Sequence, residues 1–308
     1  MIDGKRLGGV VPPMVTPLHS DGKTVSEKGV HQLIDRLVGQ GVNGIFAGGT
    51  TGEVYGLDDN QWDLLVRFAV EACHGQVPLY VGISGPSTSA AISRANRAEK
   101  MGADVLVSLV PYYISTSQAE IIHHYKALAK ATDLAVIIYN YPGITKVSIN
   151  LDTYVKLAKI PNIVGVKDSL GDVTMFRHMI DVLRSDGQDF RLFLGTDSLT
   201  DVVVLIGGQG IVPSIGNIAA EGLVKAFEAA VTGDWELSKA EQAKVNQLIS
   251  LYDIAGKESV FRGIFAGLKC ALQLLGIEAG PTVPPMLPCN IGEKRAIESL
   301  LRRYGLFT

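Results

Sequence analysis

The sequence predicts an α/β fold: a (β/α)8 TIM barrel followed by a C-terminal helical extension. Three observations carry this. Short, β-branched apolar runs recur through the first three quarters of the chain. Amphipathic segments of helical length lie between most of them. Near Gly233 the strand signal stops and only helical patterns follow. Strands that are apolar throughout suit a parallel sheet covered on both faces, and eight β-α alternations suit a closed barrel.

In chain order the runs are Gly9–Val15, Gly44–Ala47, Leu79–Ile83, Asp104–Val110, Ala135–Tyr139, Ile163–Val166, Phe190–Leu194 and Gly210–Pro213. Ser26–Gln40 puts Val30, Leu33, Ile34 and Leu37 on one helical stripe. Asp58–Cys73 repeats this with Trp62, Leu65, Val66 and Ala69, and Asp58 can cap its start. Ser117–Ala131 opens with Ser-Gln-Ala-Glu, a capping-box pattern. Asp172–Leu183 and Ala219–Ala230 read as helices too. After the barrel, Glu236–Ala255, Ser259–Leu275 and Glu293–Tyr304 read as three helices, with a Pro- and Gly-rich link at Gly276–Pro288. The division expected is a catalytic barrel over 1–232 and a three-helix extension over 233–308, the latter a packing or oligomer surface. The competing fold is an open doubly wound sheet. A dinucleotide-binding version would need GxGxxG after its first strand, and Gly8-Gly9-Val10-Val11-Pro12-Pro13 does not supply it.

A net charge of −3 gives no whole-chain attraction to nucleic acid or to an anionic membrane. No apolar stretch approaches the roughly 20 residues of a membrane span. Cys73, Cys270 and Cys289 are scattered and form no CxxC pair, which argues against a disulfide scaffold or structural zinc and fits a reducing, cytoplasmic setting. The start, Met1 to Arg6, has no signal-peptide layout.

Barrel enzymes work where the strands end. Strand two ends in Gly48-Gly49-Thr50-Thr51-Gly52-Glu53, strand four in Pro111-Tyr112-Tyr113, and strand five in Tyr139-Asn140-Tyr141-Pro142. Strand six ends in Lys167-Asp168-Ser169, strand seven in Gly195-Thr196-Asp197-Ser198, and strand eight near Pro213-Ser214. A lysine at the end of an apolar strand must find a partner or give up its proton. Pairing with Asp168 or Glu53 would make Lys167 structural; without a partner it is a nucleophile for carbonyl carbons. The Gly-Gly-Thr-Thr-Gly-Glu loop can hold an anion through backbone N–H groups and hydroxyls, or it is simply a tight turn. It lacks the Gly-Lys-Ser/Thr ending of a P-loop, so a carboxylate suits it better than nucleotide phosphate. Tyr139 is either a core residue with its hydroxyl parked on backbone or a proton relay to Lys167. Tyr112 and Tyr113 also suit an aromatic rim. Metal chemistry would need several ligands at one mouth. His31, His74, His123, His124 and His178 fall on helices or their ends, with His123-His124 reading as a partly solvated face, and His19 lies in the first loop. No metal centre is expected.

Together, Gly49-Thr50-Thr51-Gly52-Glu53, Tyr139-Asn140-Tyr141-Pro142 and Gly165-Val166-Lys167-Asp168-Ser169 resemble the dihydrodipicolinate synthase / N-acetylneuraminate lyase family of (β/α)8 Schiff-base lyases. The resemblance spans essentially the whole chain. It implies an imine between Lys167 and the keto carbon of pyruvate or another 2-oxo acid. It implies that Thr50 and Thr51, with Gly49 in the same loop, hold the substrate carboxylate. Tyr139 would move protons through Thr50, and Tyr113 would be lent across a dimer interface, within a homotetramer. Gly195 and Val212 match positions lining the pyruvate pocket, and no cofactor is required.

One position departs from the pattern. Where the synthases carry an arginine two residues after the proline of the Tyr-Asn-x-Pro motif, this chain has Ile144. Isoleucine cannot make the charge-assisted fork that grips a second carboxylate. The loop resembles the family's 2-keto-3-deoxy-sugar-acid aldolases instead, which points to an aldehyde without a carboxylate. Thr145, Asp197 and Ser214 are the expected second-substrate contacts. The segment Val54 to Asp59 lacks the residues expected of a lysine feedback site. The function expected is a class I pyruvate-dependent aldolase; the alternatives are dihydrodipicolinate synthesis, dehydration of a 3-deoxy acid, and a non-catalytic 2-oxo-acid binder.

Overall fold

The structure is a computed structural model that describes residues 7–185, 189–257 and 259–306. Met1 to Arg6 lie outside it. Eight parallel strands follow the order β1-β8-β7-β6-β5-β4-β3-β2: β1 Gly9–Val10, β2 Ile45–Ala47, β3 Leu79–Gly82, β4 Val105–Leu109, β5 Ala135–Asn140, β6 Ile163–Asp168, β7 Arg191–Leu194 and β8 Gly210–Ile211. The Phe46 N–H donates to the Pro12 carbonyl and the Met14 N–H to the Phe46 carbonyl, each at 3.0 Å, so backbone bonds link the β1 segment to β2 and close the ring. The apolar run Gly9–Val15 therefore yields only a two-residue strand and an isolated bridge at Pro13. Pro12 and Pro13 have no N–H to give to a ladder.

The helices are α1 Glu27–Gly39, α2 Asp59–Cys73, α3 Thr88–Met101, α4 Gln118–Lys130, α5 Pro142–Thr145, α6 Leu151–Ala158, α7 Val173–Ser185, α8 Thr200–Leu205 and α9 Gly216–Thr232. In the tail come α10 Trp235–Leu248, α11 Leu251–Ala255, α12 Val260–Leu274 and α13 Ile291–Arg303. The expected caps form: Asp58 accepts from the Gln61 N–H at 2.8 Å, and Ser117 closes a full capping box with Glu120. Each such cap stabilises its helix by about 1 kcal/mol. The single helix expected over Glu236–Ala255 is instead two, broken at Ile249-Ser250.

Side chains on a strand alternate between faces. Val11, Phe46, Tyr80, Val107, Ile137, Tyr139, Phe193 and Val212 form one cluster, which fills the barrel interior. Their neighbours, such as Val81, Leu106, Ile138, Val166 and Leu192, belong to a second cluster beneath the helices. That outer cluster runs on without a break into Leu268, Leu272, Ile297 and Leu301 of the tail. The tail is packed onto the barrel as a continuation of the same core.

Candidate active site

Lys167 and Tyr139 are partners in register on β6 and β5, and both turn inward. Alternation sends the next residues, Asn140 and Asp168, to the opposite face. There the Asn140 side-chain amide donates to Asp168 at 2.6 Å. Asp168 is thus a brace between two strands and no counter-ion for Lys167. Glu53 does not pair with Lys167 either. Its carboxylate lies 2.6 Å from the Lys269 ammonium on α12, and both side chains are fully buried. Neither structural partner weighed for Lys167 exists.

What surrounds Lys167 is apolar and aromatic. Its Nζ lies 4.0 Å from the Tyr139 ring centroid and 5.0 Å from that of Phe46. Burial pushes the amine down from 10.5 to about 7, with the more distant Asp197 charge opposing. At neutral pH a large share of it is the free base, which is the nucleophilic form. Gly195 on the neighbouring loop leaves the room this requires: a Cβ there would fall 2.1 Å from Ser169 Oγ and 3.2 Å from Lys167 Cε.

The Tyr139 hydroxyl lies 3.4 Å from Thr50 Oγ1 and also bonds Ser169. Burial raises its pKa above the usual 10, partly offset by those two hydrogen bonds. It therefore holds its proton at neutral pH, with the Thr50 hydroxyl beside it. Thr51 Oγ1 lies 2.8 Å from Ser214 Oγ, joining the second-strand loop to the eighth. Close backbone packing shapes this loop: a Cβ at Gly49 would strike the Phe46 ring at 2.7 Å. Glu53 holds a left-handed conformation at φ 52°, and its second oxygen accepts from the Val283 N–H at 2.7 Å. A non-glycine residue there costs of order 1 kcal/mol or more, so its ion pair and hydrogen bond are what keep the loop in shape.

These groups line a cavity of about 160 Å³, bounded by Thr50, Thr51, Tyr139, Lys167, Ser169, Gly195, Thr196, Asp197, Val212 and Ser214. Tyr141, Phe261, Ile264 and Phe265 complete it. Of the sequence-predicted residues, Lys167, Tyr139, Thr50, Thr51, Gly195, Val212, Asp197 and Ser214 converge here. Asp197 is held by the Ile215 N–H at 3.0 Å and the Tyr252 hydroxyl at 3.0 Å. Burial raises its pKa, and those donors together with Lys167 oppose the shift.

Gly49 packs against the Phe46 ring and does not line the cavity, and three others stand apart. Thr145 is buried, and its hydroxyl donates to the Tyr141 and Val147 carbonyls, so it braces its own turn rather than facing the cavity. Ile144 is half-buried on α5 and does not line the cavity. Tyr113 is 85% exposed and contributes nothing to the site within one chain. His124 departs from the solvated face expected of it. It is buried, bonds the Thr88 hydroxyl at 3.0 Å, and is pushed down to about 4 by burial.

Sequence reasoning missed the wall that α12 builds. Tyr139 stacks on Tyr141 at 6.0 Å, Tyr141 meets Phe261 at 6.5 Å, and Phe261 meets Phe265 at 5.7 Å. The tail thus reaches the mouth. One signal was available: Lys269 interrupts the apolar run from Gly263 to Leu272 on α12, and such a charge demands a distant partner.

Comparison with known proteins agrees with this fold. The model of the dihydrodipicolinate synthetase family matches residues 6–304. A 4-hydroxy-tetrahydrodipicolinate synthase of Methanopyrus kandleri is 30% identical over 98% of each chain. A probable 2-dehydro-3-deoxy-D-pentonate aldolase of Escherichia coli K12 is 31% identical over 98% of this chain and 99% of its own. Among solved structures, an E. coli K12 prophage protein of the same family, in complex with pyruvate, superposes with a TM-score of 0.90 at 28% identity, covering 97% of this chain and 99% of that one. The matched span covers nearly the whole chain, and the chain belongs to the dihydrodipicolinate synthetase family of lyases and aldolases.

Proposed function

We propose that this chain is a class I pyruvate-dependent aldolase. It forms a Schiff base through Lys167 with pyruvate or a related 2-oxo acid and reversibly cleaves a 2-keto-3-deoxy sugar acid or similar acid. The observation that carries this reading is the Lys167 amine: buried, lowered to about 7, and with no carboxylate in ion-pair reach among the described residues.

The neutral amine attacks the keto carbon, and loss of water leaves a protonated imine. The imine draws electrons from the C3–C4 bond, which breaks to give an enamine and an aldehyde. Tyr139 gives its proton to the departing water as the imine forms, takes the C4 hydroxyl proton as the C3–C4 bond breaks, and delivers it to C3, with Thr50 as the neighbouring hydroxyl in the relay. Hydrolysis then frees pyruvate. The Thr50 and Thr51 hydroxyls and backbone N–H groups receive the substrate carboxylate, and Ser214 fixes the Thr51 rotamer. The aromatic wall keeps water from the enamine.

Among the described residues, Lys167 and Asp197 are the charged side chains lining the cavity, and no arginine lines it. An aldehyde bearing a carboxylate would meet Asp197 without a counter-ion, which disfavours dihydrodipicolinate synthesis despite the names of several relatives. An uncharged hydroxyaldehyde can donate to Asp197 instead. Exposed Tyr113, beside Ile114 at 72% exposure, suits a dimer that lends the tyrosine across its interface, within a tetramer. The reading carries a cytoplasmic location; no helix among the described residues is long and apolar enough to cross a membrane.

Borohydride reduction with pyruvate tests the first step: a pyruvate-derived mass should appear on Lys167, and an unchanged protein mass overturns the mechanism. Product analysis separates the reactions, since an aldolase releases pyruvate and a dehydratase keeps the carbon skeleton. Sedimentation tests the assembly, and a fully active monomer would remove Tyr113 from the relay.

A further inference from the structure

A second cavity, of about 630 Å³, lies between the first βα loop and the tail. Cys270 of α12 and Cys289, just before α13, both line it. They stand on separate elements, yet the fold brings both to one cavity. Cys289 Sγ lies 3.4 Å from the Ala266 carbonyl, one turn before Cys270 on the same helix. Helical side chains lean toward the preceding turn, so the Cys270 sulfur leans to the same spot. Each thiol shifts the ionisation of the other.

The approach is built into the structure. Arg262 of α12 donates to the Pro288 carbonyl at 3.0 Å and to both Glu293 oxygens, at 2.9 and 2.7 Å. The backbone on either side of Cys289 is thereby clamped against the helix that carries Cys270.

We propose that Cys270 and Cys289 form a dithiol site that closes reversibly to a disulfide on reaction with a low-molecular-weight disulfide entering this cavity. Cys270 attacks one sulfur of the small disulfide and releases the other as a thiol. Cys289 then attacks the Cys270 sulfur of the mixed disulfide, and the second small thiol leaves. Two protein thiols are oxidised, one small disulfide is reduced to two thiols, and the two thiol protons end on the leaving groups.

The order of attack follows from the surroundings. The Cys289 thiol and the Lys294 charge hold the Cys270 thiol below its usual value, against burial, while the Cys270 thiol and burial push Cys289 up. Of the lysines lining the cavity, Lys28 is paired with Glu278 and Lys269 with Glu53, so Lys294 leaves the balance positive. An anionic disulfide such as glutathione disulfide suits that balance. The remaining cysteine, Cys73, is buried outside the cavity and pushed up to about 12 by burial, so it should stay reduced.

The test treats the whole protein with glutathione disulfide, then counts thiols under denaturing conditions and maps peptides. The site predicts loss of two of the three thiols, loss of the mass of two hydrogens, a Cys270–Cys289 cross-link, and full reversal by dithiothreitol. Cys289→Ser should instead trap glutathione on Cys270. A stable glutathione adduct on the unaltered protein, a cross-link involving Cys73, or no thiol consumption at all would overturn the proposal.

Discussion

Lys167 and Lys269 are both buried, at 5% and 2% exposure, yet the two regions that hold them use burial in opposite ways. In the tail, Lys269 meets the Glu53 carboxylate at 2.6 Å and the Pro281 carbonyl at 2.8 Å. Desolvation lowers its pKa, and the Glu53 charge and hydrogen bond oppose the fall. In the barrel mouth, Lys167 meets ring faces and has only a more distant carboxylate to oppose desolvation. Burial weakens the charge on any lysine; the presence of a partner decides whether the result is a tie or a nucleophile.

The contrast can be broken most sharply at the lysines themselves. Lys167→Met should abolish turnover and pyruvate trapping while leaving the protein folded. Its melting temperature should match or exceed that of the parent at pH 6, since a buried amine is removed. Lys269→Met should do the reverse to stability, because it strands the Glu53 carboxylate. The expected loss is about 3–5 kcal/mol by denaturant titration. Adding Glu53→Gln should recover much of it; no recovery would mean that the pair does not act as a unit.

Smaller changes sharpen the picture of the mouth. Tyr139→Phe should lower kcat by about a hundred- to ten-thousand-fold with the imine still trappable. The pH profile should carry the amine directly. Attack needs the neutral form, so kcat/KM for pyruvate should rise about tenfold per pH unit below about 7 and level off above it. The linkage has the same sign for folding. The folded amine sheds its proton near 7 and the unfolded one near 10.5, so the burial penalty is full below 7 and fades as pH rises between those values. Smallest of all, Ser214→Ala should raise KM for pyruvate about fivefold, the equivalent of about 1 kcal/mol for one lost hydrogen bond.

How much of this was legible in the sequence depended on the range of the interaction. The strands were, because continuous apolar runs have few other uses. Lys167 was, because it interrupts one of them. The α3 helix escaped because its buried stripe is alanine alone, Ala91, Ala95 and Ala98, which gives little periodic contrast. The break between α10 and α11 has no proline or glycine to mark it. The Glu53–Lys269 tie and the Tyr252–Asp197 bond link residues far apart in the chain, and nothing local announces either. For the same reason the α12 wall read as packing surface.

That wall also separates two parts of the chain. Tyr139 and Lys167 stand on β5 and β6, whereas Phe261, Ile264 and Phe265 belong to a stretch that follows the barrel altogether. On the proposed mechanism, reaction and substrate choice rest on separate stretches of the chain. Substitutions at those three positions should then change which aldehyde is accepted while Lys167 stays as it is.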